Sequence, residues 1–105
     1  MLVASAENEM ALLLKSKIQL RQGAYDAAIS NLRIIVRNNP NADEALVLLA
    51  QAYANSGSPE LAQSSFRQAL SVNAKNVQAA LSVAQSMIRD NDLDRAETVL
   101  MNALR

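Results

Sequence analysis

The sequence predicts an all-α protein, an α-solenoid of about six antiparallel helices, and three observations carry this prediction. Shifting the sequence by 34 residues places Gly23 on Gly57 and Ala28 on Ala62, and a second shift of the same length places Ala62 on Ala96. The matching positions lie at spacings of three, four and seven, which is one side of a helix. No segment alternates apolar and polar residues for long enough to form a strand. The period, about 34 residues, indicates stacked copies of one helical unit.

Turn and loop signals divide the chain into six predicted helices. Gln22-Gly23-Ala24 and Ser56-Gly57-Ser58 are turns, and Asp90-Asn91-Asp92 takes the same place in the third unit. Asn38-Asn39-Pro40 stops a helix because proline disfavours helix at the residue before it, and Asn73-Ala74-Lys75-Asn76 fills the equivalent place with a weaker signal. The predicted helices cover residues 6–22, 25–38, 42–55, 59–72, 76–90 and 93–105.

Capping residues precede several of these helices. Asn41 with Glu44 has the spacing of a capping box at the start of the third helix. Ser58 before Pro59 gives the fourth helix an N-cap and a proline at its first position, and Asp92 is placed to cap the last helix. We therefore expect one domain over residues 1–105, part of a longer array, with units at about 9–42, 43–76 and 77–105.

The middle unit carries a pattern of large and small residues on both of its helices: Leu46, Leu49, Ala50, Tyr53, Gly57, Ala62, Phe66 and Ala69. This pattern resembles the tetratricopeptide repeat, in which small residues let two helices approach closely and large ones fill the gaps beside them. In the first unit Lys15, Ser16 and Gln19 depart from the pattern. These departures predict a looser or rotated first helix. Helical repeats of longer period, such as HEAT or armadillo, are the alternative.

The resemblance implies a right-handed superhelix whose first helices line a concave groove. The groove residues it implies are Leu13, Lys17, Leu20, Arg21, Glu44, Val47, Leu48, Gln51, Asn55, Gln78, Leu81, Ser82, Gln85 and Arg89. Amides and cations mixed with apolar side chains suit an extended peptide, because amides can bond its backbone. The alternative is that the apolar members pack against neighbouring helices and the polar ones are merely solvated.

The resemblance also allows one ligand of the family to be considered, the acidic C-terminus of heat-shock chaperones. Family members hold that tail with a carboxylate clamp of Lys, Asn and Arg side chains. The corresponding positions here are Leu13, Lys17, Leu48, Gln78 and Ser82. Lys17 is the one cation among the five, and it stands where the clamp has Asn. We predict that this chain does not bind such a tail.

The two ends of the array have apolar residues. Family arrays usually finish with an extra polar helix, and the sequence ends at Ala103, Leu104 and Arg105 without one. We expect either a fragment of a longer array or two copies stacked end to end as a homodimer. The predicted end-stacking residues are Met10, Leu14, Ile18, Met87, Val99 and Leu104.

Composition excludes many kinds of site. The chain has no His and no Cys, and ten cationic residues balance ten acidic ones. We therefore expect no cofactor, no Cys/His metal site, no catalytic imidazole or thiolate, and no nucleic-acid partner. Asp90, Asp92 and Asp94 resemble the opening of a calcium loop, but Arg95 and Met101 stand where that loop needs Gly and Glu. We predict that the protein is not an enzyme.

Neither a membrane span nor a signal peptide is visible in the sequence. The longest apolar run, residues 10–14, is far shorter than a spanning helix. The composition, rich in Gln, Asn, Ser and Ala, resembles that of bacterial arrays of the family that work in envelope assembly, secretion or exopolysaccharide export. This leaves the bacterial cytoplasm and the periplasm both open. The predicted function is a scaffold that binds a protein or peptide in its groove, and the alternative is a solenoid segment that self-associates through its ends.

Overall fold

The structure, a computed structural model, describes the backbone of residues 6–105 and the side chains of residues 8–105. Over this range the chain forms six helices and no strand. The helices are α1 (Ala6–Arg21), α2 (Tyr25–Asn38), α3 (Asp43–Asn55), α4 (Pro59–Val72), α5 (Val77–Arg89) and α6 (Leu93–Leu104). The predicted all-α fold is confirmed, and each predicted helix end lies within one residue of the observed end.

Consecutive helices pack in chain order, and α1 also touches α3. The result is an elongated stack of 47 × 28 × 18 Å, as expected for a solenoid in which each pair contacts its neighbours. No described helix combines the length and the apolar character needed to cross a bilayer.

The core consists of two buried clusters that share α3. The first joins α1, α2 and α3 and contains Leu13, Ala28, Leu32, Ile35, Ala45 and Leu49. The second joins α3, α4 and α5 and contains Leu46, Val47, Ala50, Phe66, Ala69, Ala79 and Val83. Fully buried alanines such as Ala28 and Ala50 let the helices approach closely.

The three turns inside the helix pairs have the same geometry. Gly23 and Gly57 have φ of 77° and 89°, and Asn91 takes their place in the third pair with φ of 63°. Asparagine tolerates this left-handed conformation better than other non-glycine residues, which explains why it replaces glycine. In each turn the backbone N–H of the residue after the positive-φ residue donates to a carbonyl of the preceding helix, as in Ser58 N to Tyr53 O at 2.8 Å.

The three predicted side-chain caps are wrong. Ser58 and Asp92 precede their helices but make no capping hydrogen bond, and Ala42 rather than Asn41 stands before α3. Ser58 and Asp92 have ψ of 70°, short of the extended backbone that aims a capping oxygen at the helix. The side-chain cap that does form is Asn76, whose Oδ1 accepts from Ala79 N at 3.0 Å.

The polar residues of α1, predicted to loosen this helix, are accommodated. Ser16 is fully buried and its Oγ donates to the carbonyl of Leu12 at 2.9 Å. Gln19 accepts a hydrogen bond from Asn31 Nδ2 of α2 at 2.9 Å. Lys15 does not enter the core, because its side of α1 is exposed. A hydrogen bond therefore links α1 to α2 at Gln19, where the middle unit packs Tyr53 against the core.

Candidate protein-binding surface

The first helix of each pair exposes one side, and the exposed positions recur once in every unit. We call this surface, formed by α1, α3 and α5, the first-helix face. Its four rows are Met10, Glu44 and Gln78; Leu14, Leu48 and Ser82; Lys17, Gln51 and Gln85; and Arg21, Asn55 and Arg89. Each of these residues is exposed or half-buried. The spacing of four, three and four within each helix keeps them on one side.

Two depressions lie on the first-helix face. One, of about 480 Å³, lies between α1 and α3 and is lined by Lys17, Ile18, Leu20, Arg21, Leu48 and Gln51. The other, of about 370 Å³, is lined by Gln63, Ser82, Gln85, Ile88 and Arg89. Both combine apolar groups with amide and cationic groups, which is the composition expected of a peptide-binding surface.

Lys17, which lines the first depression, forms an ion pair. Lys17 Nζ lies 2.8 Å from Glu44 Oε2, so this contact joins α1 to α3 on the first-helix face. The two side chains are 42% and 60% exposed, so the pair contributes less than about 1 kcal/mol to stability. Its larger consequence is electrostatic, because it neutralises the one lysine of this surface. Arg21 and Arg89 have no ion-pair partner among the described side chains.

Gln63, one of the residues that line the second depression, has an unsatisfied polar atom that the sequence does not predict. Gln63 Oε1 is buried and has no hydrogen-bond partner among the described residues. A buried carbonyl left in this state costs about 1–3 kcal/mol. Gln63 lies on α4, where the first unit has Ile29, so no repeat pattern pointed to it.

The structure changes the predicted groove at two positions. Leu13 and Val47 are buried in the core, 9% and 2% exposed, so they offer no surface to a partner. Leu81 holds the equivalent position in α5 and is 49% exposed. The reason is that α3 covers Leu13 and α5 covers Val47, whereas the described chain has no further pair to cover Leu81. The other predicted groove residues are exposed or half-buried, as a binding surface requires.

The residues predicted for the two ends of the array differ in their surroundings. Met10 and Leu14 belong to the first-helix face, because they occupy the positions of Glu44 and Leu48 in the next unit. Met87 is half-buried against the second core cluster, so its assignment to an end is wrong. Ile18 and Leu104 are 56% and 77% exposed, and Val99 is half-buried.

In each of the first two helix pairs, a side-chain hydrogen bond joins the loop after the second helix to the start of the first helix. Asn39 Nδ2 lies 3.5 Å from the Glu9 carboxylate, and at the equivalent positions of the next pair Asn73 Nδ2 donates to Asp43 Oδ2 at 3.0 Å. Asn76 Nδ2 donates to the same Asp43 oxygen at 2.8 Å. Because these bonds favour the charged carboxylate, they hold the pKa of Asp43 below its ordinary value.

Comparison with solved structures identifies proteins of the same fold. MamA from Desulfovibrio magneticus RS-1 is 20% identical, with a TM-score of 0.72 over 90% of this chain and 54% of that one. The type III secretion translocator chaperone SycD of Yersinia enterocolitica, solved as an alternative dimer, is 18% identical, with a TM-score of 0.76 over 94% and 75%. The second tetratricopeptide domain of Spaghetti (RPAP3), bound to the HSP90 peptide SRMEEVD, is 16% identical, with a TM-score of 0.74 over 91% and 89%.

The sequence comparison gives the family. The chain spans about half the length of the MamA chains that it matches. A search of curated proteins found no significant match. The model of the tetratricopeptide repeat family matches residues 13–62 and again residues 48–105. The chain therefore belongs to the tetratricopeptide repeat family.

Proposed function

We propose that this protein is a non-catalytic scaffold that binds a protein partner, as an extended peptide, on the first-helix face. Tetratricopeptide repeats are generally protein-interaction scaffolds, which supports a protein-binding role for this member. The observation that carries the finer proposal is the set of four rows that continue across α1, α3 and α5.

The chemistry of the rows fits a peptide backbone. Gln51, Asn55 and Gln85 each present an amide that can donate and accept, which matches the N–H and C=O groups of an extended chain. Leu14 and Leu48 lie in the row beside them and can accept apolar side chains.

The dimensions set a lower limit to the length of the peptide. Packed helices lie about 8–10 Å apart, and the first helices, which are separated in the chain by a second helix, lie at least that far apart, so the three span at least about 20 Å. An extended chain rises about 3.3 Å per residue, so at least about six residues cross the surface. Arg21 and Arg89 lie in the last row and have no ion pair among the described side chains. We therefore expect a ligand with apolar residues and an acidic side chain close to this row.

Peptide selection followed by matched substitutions tests the proposal. Peptides of about eight residues are selected from a random library on the wild-type protein, and their affinity is measured by fluorescence polarisation. Replacing both Gln51 and Gln85 by Ala is expected to weaken binding about thirtyfold, since each amide contributes about 1 kcal/mol. Gln68→Ala, which removes an exposed amide from α4, is the matched control and should bind like the wild type. Equal losses from both variants, or no selected peptide, would contradict the proposal.

A second candidate function is self-association as a segment of a longer solenoid. The exposure of Leu104 at 77% and of Leu81 at 49% favours it, because such leucines are usually covered by a neighbouring unit. The bacterial setting in envelope assembly, secretion or exopolysaccharide export stays a prediction from the sequence.

A further inference from the structure

The junctions inside the chain show which side of a first helix the preceding pair covers. Ala45 and Leu49 of α3 are 1% and 5% exposed, and Ala79 and Val83 of α5 are 0% and 3% exposed. The equivalent side of α1 carries Ala11 and Lys15, both exposed, and we call these two residues the upstream edge. The upstream edge thus has the position of an internal contact but no neighbour among the described residues.

The opposite side of the last pair is open in the same way. Val36 and Leu70 are partly buried against the core clusters, whereas Leu104, at the equivalent position of α6, is 77% exposed. Leu81 is 49% exposed where Val47 is buried. We call Leu81, Glu97 and Leu104 the downstream edge. Its two leucines are the residues that a following first helix would cover.

We propose that the downstream edge of one copy binds the upstream edge of a second copy, head to tail, in the register of the internal repeat. The template is the contact between α4 and α5, in which Leu70 and Phe66 pack in one cluster with Ala79 and Val83. The same register places Leu104 of one copy beside Ala11 and Lys15 of the next. The proposal deepens the second candidate function and does not depend on peptide binding.

Charge complementarity supports a second copy as the occupant. In the internal junction Gln63 and Arg89 line the same depression. The equivalent residues at the edges are Glu97 on one copy and Arg21 on the next, and both are exposed without an ion-pair partner among the described side chains. The internal junction thus pairs a neutral amide with an arginine, and the equivalent positions between two copies pair a carboxylate with an arginine. Opposite charges at the rim of an interface favour one orientation over the others.

Lys15 makes the junction between copies weaker than the internal ones. The internal junctions have Leu49 and Val83 at this position, and covering a lysine with apolar residues costs free energy that covering leucine does not. The contact is also heterologous, because it joins two different edges. Every chain of copies therefore keeps a free upstream edge at one end and a free downstream edge at the other. We therefore expect weak, open-ended chains of copies rather than a closed dimer.

Sedimentation equilibrium over a concentration series tests the proposal. The average mass of the wild type should rise slowly between about 10 μM and about 1 mM and pass beyond the dimer. Lys15→Leu restores the internal contact and should tighten association about tenfold. Leu104→Glu should weaken it by at least about tenfold. Arg21→Glu and Glu97→Arg should each weaken it, and combining the two should restore it. All these positions are exposed, and circular dichroism confirms that each variant folds.

A mixing experiment tests the head-to-tail arrangement. Leu104→Glu blocks the downstream edge, and Ala11→Arg blocks the upstream edge. In the proposed arrangement neither variant associates alone, but an equimolar mixture forms a one-to-one dimer. If Ala11→Arg dimerises alone and Lys15→Leu changes nothing, association is tail to tail, and the proposed register is wrong although self-association stands. If Lys15→Leu stays monomeric up to about 1 mM, both the register and self-association fail.

Discussion

Asn76 joins the second and third helix pairs, and its replacement by alanine should have a cost that can be worked out from its contacts. Its Oδ1 caps α5 by accepting from Ala79 N at 3.0 Å. Its Nδ2 donates to Asp43 Oδ2 at 2.8 Å. Losing the cap costs about 1 kcal/mol, and losing a partly exposed hydrogen bond to a carboxylate costs about 0.5–1 kcal/mol more. Asn76→Ala should therefore lower the free energy of unfolding by about 1.5–2 kcal/mol.

Urea unfolding followed by circular dichroism measures this loss. Asn41→Ala is the matched control, because Asn41 is exposed in the equivalent loop and its side chain makes no contact of this kind. It should change stability by less than about 0.5 kcal/mol. A double-mutant cycle with Asp43→Ala isolates the contact between the two side chains and should give a coupling of about 0.5–1 kcal/mol.

The contribution of Asp43 also has a predictable pH dependence. Hydrogen bonds from Asn76 and Asn73 hold the pKa of Asp43 below its ordinary value of 3.8. A carboxyl group whose pKa is lowered by folding adds stability above its unfolded pKa and loses it as pH falls through the folded pKa. The difference in the free energy of unfolding between the wild type and Asn76→Ala should therefore have its whole value at pH 7. Below about pH 4 it should decrease towards the part that the α5 cap contributes. A difference that stays constant with pH, or a coupling of zero, would refute this reasoning.

Further predictions concern the core, a turn, the first helix and a ligand. Leu32→Ala, at a fully buried position, should cost about 3 kcal/mol in urea unfolding, whereas Leu104→Ala at the exposed end should cost less than about 0.5 kcal/mol. Gly57→Ala should cost about 1 kcal/mol because φ is 89°, and Gly57→Asn should cost less, since asparagine holds this place in the third turn. Ser16→Ala should raise stability by about 0.5 kcal/mol, because alanine fits the helix better and the other units have alanine there; a loss above about 1 kcal/mol would show that the hydroxyl bond matters. The peptide SRMEEVD should bind no tighter than about 10 μM by calorimetry, since Lys17 is the one cation at the five clamp positions; tighter binding would show that another clamp exists.

The repeat made most of the fold predictable. Its period put Gly23, Gly57 and Asn91 at one position of the unit, and all three adopt a positive φ. The caps were less predictable, because a capping bond depends on backbone angles that residue type does not determine. Ser58 has a favourable side chain but a ψ of 70°, whereas Asn76 has a ψ of 105° and makes the bond.

The candidate site was predictable only in part, because burial in a solenoid depends on the neighbouring unit. Val47 and Leu81 occupy the same position in successive units, and only Val47 is covered. A single helix does not reveal which of its sides a neighbour covers, so Leu13 and Val47 were wrongly assigned to the groove. Gln63 escaped notice for the opposite reason, since its unsatisfied oxygen depends on the packing around one residue and has no counterpart in the repeat.

Mapping a selected peptide onto the backbone by NMR tests the central claim most directly. Amide chemical shifts of the protein are followed while the peptide is added. The proposed function predicts that the largest changes fall on α1, α3 and α5, around residues 17–21, 48–55 and 82–89. Changes concentrated instead on α2, α4 and α6 would contradict it and place the binding surface on the opposite side of the solenoid.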